Sequence, residues 1–321
     1  MSEVTPSETR IGRRVRFRDL QVLLAVARCG SMAKAAVQLG VTQPAVSEII
    51  TGLESAFAVR LFDRGAQGVD PTIYGRALIK RGVAACDELK EGIRDLAFLA
   101  DPNTGEVRIG CPDSIAAAIL APMIRQFCRD FPGIALRVDP AYTPTLDVPE
   151  LRARKLDVVI ERLSTPHPYD QLGGDLNVDV QFDDVPVIAA GANSRWARRR
   201  KIDLSEIVDE PWVVTPRETL PTIVMLQAFQ ASNLPEPKIR VTTFSLELRT
   251  YLLATGDFLT SIPKSMLRLN ADCAGLKALP VKLPFRNFPV AIVTLKNRTL
   301  SPVVELFLKR LRTFIKSIDV S

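Results

Sequence analysis

The polar side chains of Gln43, Ser47 and Thr51 recur every four residues in the segment TQPAVSEIITGLE. At about 100° per residue of an α-helix, this spacing places them on one face, beside Pro44 and Glu48. Amide and hydroxyl groups on such a face can hydrogen-bond the edges of nucleic-acid bases or phosphate oxygens. A small helical bundle with a merely solvated polar face fits the same spacing, so the surrounding elements must decide between the two interpretations.

Two short helices joined by a tight turn must hold this face in place. Ser31 can cap the first helix, and Gly40 can end it in the left-handed conformation. Thr42 can cap the second helix, and Pro44 suits its first turn because a missing N–H costs nothing there. The apolar positions of the second helix form one stripe, Val46, Ile49, Ile50 and Leu53. This pattern predicts a helix-turn-helix over about 32–51, whose second helix enters the major groove of DNA.

A short hairpin and a long helix are predicted next. The segment RLFDRGAQGVDP has two apolar pieces around a Gly-containing turn, which is typical of a β-hairpin wing that carries Arg64 beside a DNA backbone. From Thr72 to about Leu99 the apolar pattern indicates one long helix. Its residues spaced by four and three are Leu78, Gly82, Ala85, Leu89, Gly92 and Leu96. This seam fits either a dimerisation helix or a helix packed on its own domain.

From residue 106 onward the sequence alternates strand-like and helical stretches. EVRIGC, IALRVDP and LDVVIER have the apolar, β-branched character of strands, whereas IAAAILAPMIRQFCRDF and SLELRTYLLATG are typical of helices. Such alternation predicts an α/β fold with parallel sheets and with ligands bound where strands end. The stretch is longer than one sheet needs, so we expect two lobes with a cleft between them.

Charge and the scarcity of histidine narrow the class of protein. The chain of 321 residues has a net charge of +6, and residues 10–81 hold twelve Lys and Arg against five Asp and Glu. A basic N-terminal segment favours a polyanionic partner. The single histidine, His167, lies in a Pro-flanked turn, and the five cysteines lack metal-ligand spacing. We therefore expect no catalytic site, metal, cofactor or membrane contact, and a cytoplasmic location.

The chain resembles the LysR-type transcriptional regulators. The N-terminal match consists of Gly30-Ser31, Ala35-Ala36, Leu39, TQPAVS at 42–47, Leu53-Glu54, Leu61-Phe62, Arg64, Thr72 and Gly75. The order continues through GEVRIG, FPGIALRV, LDVVI and the G…SIP run at 256–263. The resemblance implies an α/β protein with an N-terminal all-α winged helix-turn-helix and an effector domain of two α/β lobes, like type 2 periplasmic binding proteins.

This resemblance also implies a domain organisation. The winged helix-turn-helix DNA-binding domain would cover 15–72, a linker and dimerisation helix with its hinge 73–103, and the effector-binding domain 104–321. Lobe I would comprise about 104–161 and 267–321, and lobe II about 162–266. The expected assembly is a homodimer or homotetramer on promoter DNA, with RNA polymerase as a further candidate partner.

Two sources nominate the DNA-contacting residues. The positions that match the family's contacts are Ser31, Lys34, Thr42, Gln43, Pro44, Ser47 and Arg64. Helical spacing independently adds Thr51. Glu48 is a departure, because the family commonly has a basic residue there, and a carboxylate can accept from a cytosine amino group or repel phosphate. A second departure is Phe57-Ala58, where the family commonly has Gly.

The effector site is expected at the N-terminus of the first helix of the α/β region, where free N–H groups and the helix dipole favour polar ligands. The segment CPDSIAAAIL places Ser114 and Ile115 there, and Thr143 and Thr145 follow the second strand. Ser114 could instead only cap its helix. The carboxylate of Asp113 disfavours an anionic effector and so favours sugars and other neutral polar molecules. A small organic acid stays a second candidate. The effector domain also faintly resembles that of regulators of sugar uptake within the family.

Two alternatives stay open: one for the function of the whole chain and one for the basic run at 195–201. A free-standing small-molecule-binding protein without a transcriptional role is the alternative to a regulator. The basic run RWARRRK at 195–201 is interpreted as a solvated face or a contact with acidic neighbours rather than as a second nucleic-acid patch.

Overall fold

The computed structural model describes residues 15–65, 68–141, 148–163, 174–269, 275–284 and 288–318. The chain divides into two compact units, 1–95 and 96–321. The first unit contains three short helices, α1 (Phe17–Cys29), α2 (Met32–Leu39) and α3 (Gln43–Phe57). The antiparallel strands β1 (Phe62–Gly65) and β2 (Gly68–Pro71) follow, and the long helix α4 (Ile73–Ala100) begins after them.

Local capping fixes the predicted helix-turn-helix. The backbone N–H of Lys34 donates to Ser31 Oγ, and the N–H of Ala45 donates to Thr42 Oγ1, each at 3.4 Å. Gly30 and Gly40 end α1 and α2 in the left-handed region, with φ of 61° and 65°. The caps and stops predicted from the sequence are therefore confirmed, because each depends only on residues within one helical turn.

The hairpin is held to the helices at both of its strands. Glu54 Oε1 accepts from the backbone N–H groups of Leu61 at 2.8 Å and Phe62 at 3.3 Å, which ties the end of α3 to β1. The N–H of Val69 in β2 donates to the carbonyl oxygen of Gly30 at 2.9 Å, beside the turn between α1 and α2. These bonds set the position of the wing relative to α3.

The second unit contains two five-stranded sheets. Lobe I has the strand order β4-β3-β5-β12-β6, built from β3 (Gly105–Cys111), β4 (Ile134–Pro140), β5 (Val158–Arg162), β6 (Leu176–Asp184) and β12 (Phe288–Leu295). Lobe II has the order β11-β7-β10-β8-β9, built from β7 (Pro186–Gly191), β8 (Trp212–Val214), β9 (Ile239–Thr242), β10 (Leu259–Pro263) and β11 (Leu276–Ala278). The expected α/β fold with two lobes is confirmed.

Helices cover both sheets. In lobe I, α5 comprises Asp113–Ile115, a π-helical turn at Ala116–Leu120 and Ala121–Asp130, and the lobe also has α6 (Pro149–Arg152) and α10 (Pro302–Ser317). Pro122 lacks the N–H that would continue a regular α-helix, which gives a physical reason for the π turn before it. Lobe II has α7 (Leu220–Ala231) and α8 (Leu246–Ala254), and α9 (Lys264–Leu269) follows β10 directly. None of the described helices is long and apolar enough to span a membrane.

The sheets correct two expectations. Each is mixed rather than parallel, since β12 runs antiparallel to β5 and β6, and β7 runs antiparallel to β10. The chain passes from lobe I to lobe II between β6 and β7, at residue 185 rather than near 162, and β11 still belongs to lobe II although it follows 267. A strand that has crossed between lobes enters its sheet from the opposite end, which explains the antiparallel pairs.

Candidate nucleic-acid interface and effector cleft

The predicted DNA-contacting residues of α3 lie on its solvent side. Thr42, Gln43, Pro44, Glu48 and Thr51 are exposed, and Ser47 is half-buried. The opposite face is closed by a core that contains Val46, Ile50 and Leu53. The start of α3 therefore presents amide, hydroxyl and carboxylate groups to solvent on a rigid support.

Three further predicted residues lie on the elements next to α3 along the chain. Lys34 on α2 and Arg64 on β1 are exposed, and Ser31 is half-buried. The hydroxyls of Ser31 and Thr42 accept backbone hydrogen bonds as caps, which leaves their O–H groups able to donate to phosphate oxygens. Sequence reasoning missed Glu54, whose two hydrogen bonds position the wing. Nothing in the local pattern around Leu53-Glu54 indicates a contact with the hairpin.

A cavity of about 470 Å³ lies between the lobes of the second unit. Lobe I contributes the segment 112–114 and Glu161 and Arg162, and lobe II contributes residues 215 and 218–221, Phe244, Arg249 and Pro263. This volume is within the usual range for small-molecule sites. The expected cleft between lobes is therefore present, and Ser114 lines it.

Ser114 does not cap its helix. Its Oγ accepts a hydrogen bond of 2.8 Å from Arg162 Nη1, and no side chain caps the start of α5. Arg162 Nε donates to Asp184 Oδ2 at 2.9 Å, and Arg162 Nη2 donates to Ser265 Oγ at 3.3 Å. Ser265 also donates to Asp184, from Oγ at 2.5 Å and from its N–H at 3.1 Å. We call Ser114, Arg162, Asp184 and Ser265 the hinge network, because Asp184 is the last residue of β6 before the chain crosses between lobes at residue 185, and Ser265 is bonded to it.

The structure does not place the other predicted effector contacts in the cavity. Ile115 is a correction: its side chain is fully buried in the core of lobe I, and its N–H donates to the carbonyl oxygen of Pro112 at 2.9 Å. The turn that begins α5 points the next side chain after Ser114 into the core. Thr143 and Thr145 lie outside the described residues, as does His167.

Carboxylates set the electrostatics on the lobe I side. Burial, followed by the carboxylates of Glu161 and Asp113, raises the pKa of the Cys111 thiol to about 12. A thiol with this pKa stays protonated at neutral pH and is a poor nucleophile, so Cys111 is not suited to redox sensing. No group of acidic, Cys or His side chains within the described ranges could hold a metal ion.

Arg249 is the main residue that sequence reasoning missed in the cleft. It lies on α8, is 5% exposed and lines the cavity from lobe II. A signal was available, because Arg249 stands four residues before Leu253, on the apolar side of a helix, where a buried cation needs a function or a partner.

Three of the five basic residues at 195–201 are paired within lobe II. Arg199 and Lys201 form ion pairs with Glu206 at 2.7 Å and Asp203 at 3.4 Å, and Arg195 pairs with Glu210. The guanidinium carbons of Arg195 and Arg199 lie 5.0 and 5.9 Å from the ring centroid of Trp196. The structure thus agrees with contacts to acidic neighbours.

Comparison with known proteins gives family matches over both units. A family model described as "Bacterial regulatory helix-turn-helix protein, lysR family" matches residues 17–76, and one described as "LysR substrate binding domain" matches residues 87–316. The uncharacterized HTH-type transcriptional regulator YdcI of Escherichia coli is 28% identical over 300 residues, which cover 94% of this chain and 96% of that protein. The regulator GbpR of Azospirillum brasilense is 26% identical over 314 residues, which cover 96% and 89%.

Solved structures show the same fold. Full-length OxyR from Pseudomonas aeruginosa superposes with a TM-score of 0.62 at 20% identity and covers 96% of both chains. CbnR in complex with its target DNA superposes with a TM-score of 0.59 at 18% identity, covering 94% of this chain and all of that one. At these identities the likeness concerns the architecture alone.

Proposed function

This chain belongs to the LysR family of bacterial transcriptional regulators, and we propose that it recognises promoter DNA through the exposed start of α3 and responds to a small molecule in the cleft between its lobes. The matched families are those of DNA-binding regulators that also bind small-molecule effectors and oligomerise, not of enzymes. A promoter-binding protein acts where the DNA is, which supports a cytoplasmic location. RNA polymerase remains a proposed partner of the promoter-bound protein.

The observation that carries the DNA-binding proposal is the exposed polar face of a doubly capped helix-turn-helix. In this proposal, Gln43 and Ser47 hydrogen-bond base edges in the major groove, and Glu48 accepts from a cytosine amino group. Lys34 and Arg64 flank this face and supply phosphate contacts. Pro44 and Thr51 complete the surface, and the O–H groups of Ser31 and Thr42 can donate to phosphate oxygens.

Gln43→Ala is expected to weaken binding to promoter DNA upstream of the chain's own gene. Loss of one bidentate base contact costs about 1 to 3 kcal/mol, which is roughly 5- to 150-fold in affinity, and relaxes specificity at that base pair. Ser47→Ala should act in the same direction. Fluorescence anisotropy with promoter and scrambled duplexes would measure both effects.

Ser55→Ala is the matched control, because Ser55 is an exposed serine of the same helix two turns further from its start. It should leave specific affinity unchanged. Arg64→Ala should weaken binding to all sequences and reduce the slope of log affinity against log salt by about one. Unchanged affinity in Gln43→Ala and Ser47→Ala together would refute the proposed recognition face.

The second half of α4 supports oligomerisation through this helix. Leu78 and Ile79 pack against the core of the first unit, and Gly82 is buried, so the first part of the predicted seam packs on its own domain. Further along, large apolar side chains lie exposed on one face: Leu89, Ile93, Leu96 and Leu99. Exposed apolar stripes of this kind mark contact surfaces. We propose that α4 pairs with α4 of a second copy, and that such dimers form the tetramer.

Ile93→Arg is expected to shift the chain toward monomers at low micromolar concentration, since a charge at a desolvated helix contact is strongly unfavourable. Analytical ultracentrifugation would measure the shift. Val37→Arg serves as its control, because Val37 is also an exposed apolar residue but lies on α2. Equal oligomeric states for the two variants would exclude this face of α4 as the interface.

The regulatory step proposed for the second unit is closure of the two lobes around an effector. Arg162 links Ser114 in the cavity to Asp184, beside the crossing at residue 185. A ligand that contacts Ser114 shifts the lobes toward one arrangement only if it binds that arrangement better. Lobe closure would change the packing of the tetramer and the spacing of its DNA-binding units. Identical DNase footprints with and without a bound effector would contradict this step.

A further inference from the structure

Two cations of the basic run at 195–201 stay unpaired, in contrast to the other three. Arg198 and Arg200 are exposed, and their side chains form no ion pair or hydrogen bond with any residue of the described ranges. Lys282, in the segment after β11, is exposed and likewise unpaired among those residues. Neither the DNA-binding face nor the cleft between the lobes uses these three charges.

Arg200 and Lys282 border a groove of about 680 Å³ on lobe II, which we call the lobe II groove. The segments 200–205, 232–234 and 280–282 form it. Lys201 also lines the groove, and Asp203 is the one carboxylate among its described lining residues. Lys201 and Asp203 lie 3.4 Å apart with side chains 78% and 63% exposed, so solvent screens their attraction. The rim of the groove therefore carries a net positive charge.

The floor of the lobe II groove is aliphatic. Ile202 and Leu204 are 2% and 7% exposed and belong to the core of lobe II, and Leu234 and Val281 are half-buried against that core. A parallel bridge joins Ile202 to Val281, and the N–H of Ile202 donates to the carbonyl oxygen of Pro280 at 3.3 Å. The floor is therefore a fixed part of the fold, and the rim cations lie at its edge.

The lobe II groove and the effector cleft lie at opposite ends of α7. Leu220 and Pro221 at the start of α7 line the cleft, whereas Ser232 and Leu234, after its end, line the groove. A helix of 12 residues is about 18 Å long. The groove is therefore a separate surface, and a molecule bound in it does not compete with an effector for space.

Charge and floor together favour a protein segment over DNA or a small anion. A row of DNA phosphates would meet the carboxylate of Asp203 and would leave the aliphatic floor uncovered. A phosphate ion would use the rim cations and also leave the floor uncovered. An acidic peptide that carries an aliphatic side chain complements both the rim and the floor.

We propose that the lobe II groove is a docking site for an acidic segment of a partner protein. Its carboxylates pair with Arg200 and Lys282, and an aliphatic side chain of the segment covers the floor. The exposed hydroxyls of Ser205 and Ser232 line the groove and can donate to the same carboxylates. This inference goes beyond the proposed function, because it assigns lobe II a protein-contact surface apart from the DNA-binding face, the cleft and α4.

Labelled peptides test the chemistry of the partner on the full-length chain. A set of fluorescein-labelled peptides in which Asp, Glu and Leu are permuted is titrated at low ionic strength, and binding is measured by fluorescence anisotropy. At least one peptide should bind with a Kd of about 100 µM or below. The affinity of the best binder should fall by roughly 5-fold at physiological ionic strength, because salt screens exposed charges.

Two altered copies of the best binder show which of its features are recognised. Replacing Asp and Glu by Asn and Gln should weaken binding by about 10-fold or more, and so should replacing Leu by Ser. The proposal is overturned if no peptide of the set binds, or if either altered copy binds as tightly as the original. Displacement of the peptide by pyrophosphate at constant ionic strength would assign the rim to a small anion and would also overturn it.

Variants locate the contact on the chain. Arg200→Glu and Lys282→Glu should each weaken the best binder by about 5-fold or more, since each replaces an attraction by a repulsion. Arg198→Glu is the matched control, because Arg198 is an exposed, unpaired arginine of the same run that does not line the groove. Ser232→Trp should block the floor, whereas Gln227→Trp, at an exposed position of α7 outside the groove, should not. Unchanged affinity in all three groove variants would overturn the assignment.

Promoter binding and oligomeric state separate this inference from the other proposals. Fluorescence anisotropy with promoter DNA and analytical ultracentrifugation should give the same results for Arg200→Glu and Lys282→Glu as for the unmodified chain. Weaker promoter binding would assign the groove to DNA, and loss of oligomers would assign it to a second copy; either result overturns the docking site. Peptide binding by an unmodified chain that lacks specific promoter binding would refute the proposed function and leave the docking site intact.

Discussion

Asp184→Ala is expected to lower the free energy of unfolding of the second unit by about 3 to 5 kcal/mol, or on the order of 10 °C in melting temperature. Asp184 accepts hydrogen bonds from Arg162, Val185 and Ser265. Its removal leaves the buried guanidinium of Arg162 without its carboxylate, and a buried charge that loses its partner is among the most destabilising changes in a protein. Chemical denaturation of the 96–321 unit within the full chain would measure the loss.

Asp179→Ala provides the control on the same strand. Asp179 and Arg312 form an ion pair of 2.8 Å, as short as that of Asp184, but their side chains are 45% and 44% exposed. Solvent screens an exposed pair, so its loss should cost less than about 1 kcal/mol. Equal losses for the two variants would show that burial of the Arg162–Asp184 pair does not control stability at the hinge.

Asp184→Ala should also weaken effector binding, because Arg162 would no longer be held in position beside Ser114. The magnitude of this second effect separates two roles of the hinge network. A stability loss with unchanged ligand affinity would make the network purely structural. A loss of both would connect the cleft to the crossing segments.

Gly75→Ala is expected to destabilise the first unit by about 3 kcal/mol and thereby abolish specific DNA binding at physiological temperature. A Cβ at position 75 would lie 2.0 Å from the carbonyl oxygen of Leu61. That oxygen cannot move freely, because it accepts the N–H of Thr72 at 2.9 Å, and Thr72 Oγ1 in turn accepts the N–H of Gly75 at 3.0 Å. The substitution would therefore push the start of α4 away from Leu61, directly before β1.

Gly52→Ala is the matched control in the same unit. Gly52 lies within α3, and a Cβ there would meet nothing within 4 Å. Alanine costs less backbone entropy than glycine in a helix, so this variant should gain about 0.5 to 1 kcal/mol. Far-UV circular dichroism during thermal unfolding would follow both variants. A neutral Gly75→Ala would show that β1 and α4 can move apart without loss of the fold.

The helix-turn-helix was predictable from the sequence almost in full. Its caps at Ser31 and Thr42, its stop at Gly40 and its apolar stripe depend on residues within a few positions of each other. The exposed face of Gln43, Glu48 and Thr51 follows directly from helical period. Contacts across the unit were not predictable: Glu54 meets Leu61 across the end of α3, and Gly75 meets Leu61 across the wing.

In the effector unit, the sequence indicated an α/β fold with two lobes but set the lobe boundaries incorrectly. The sheet order places β6 in lobe I and β11 in lobe II. The sequence pattern of a strand is the same whichever of the two sheets it joins. The predicted contact at Ser114 lines the cavity, whereas Ile115 is buried in the core beneath it. Adjacent residues at the start of a helix point in directions about 100° apart, and the helical period alone did not show which of the two faces the cavity.

The sequence by itself determined the family, the helix-turn-helix and the polar face of α3, because these features are local or carried by motifs. Only the tertiary structure decided the chemistry of the cleft. Asp113, Glu161 and Arg249 are far apart along the chain and share a cavity because a sheet order and a lobe arrangement bring them there. Long-range packing decides which charged residues come together, and a local sequence pattern does not contain this information.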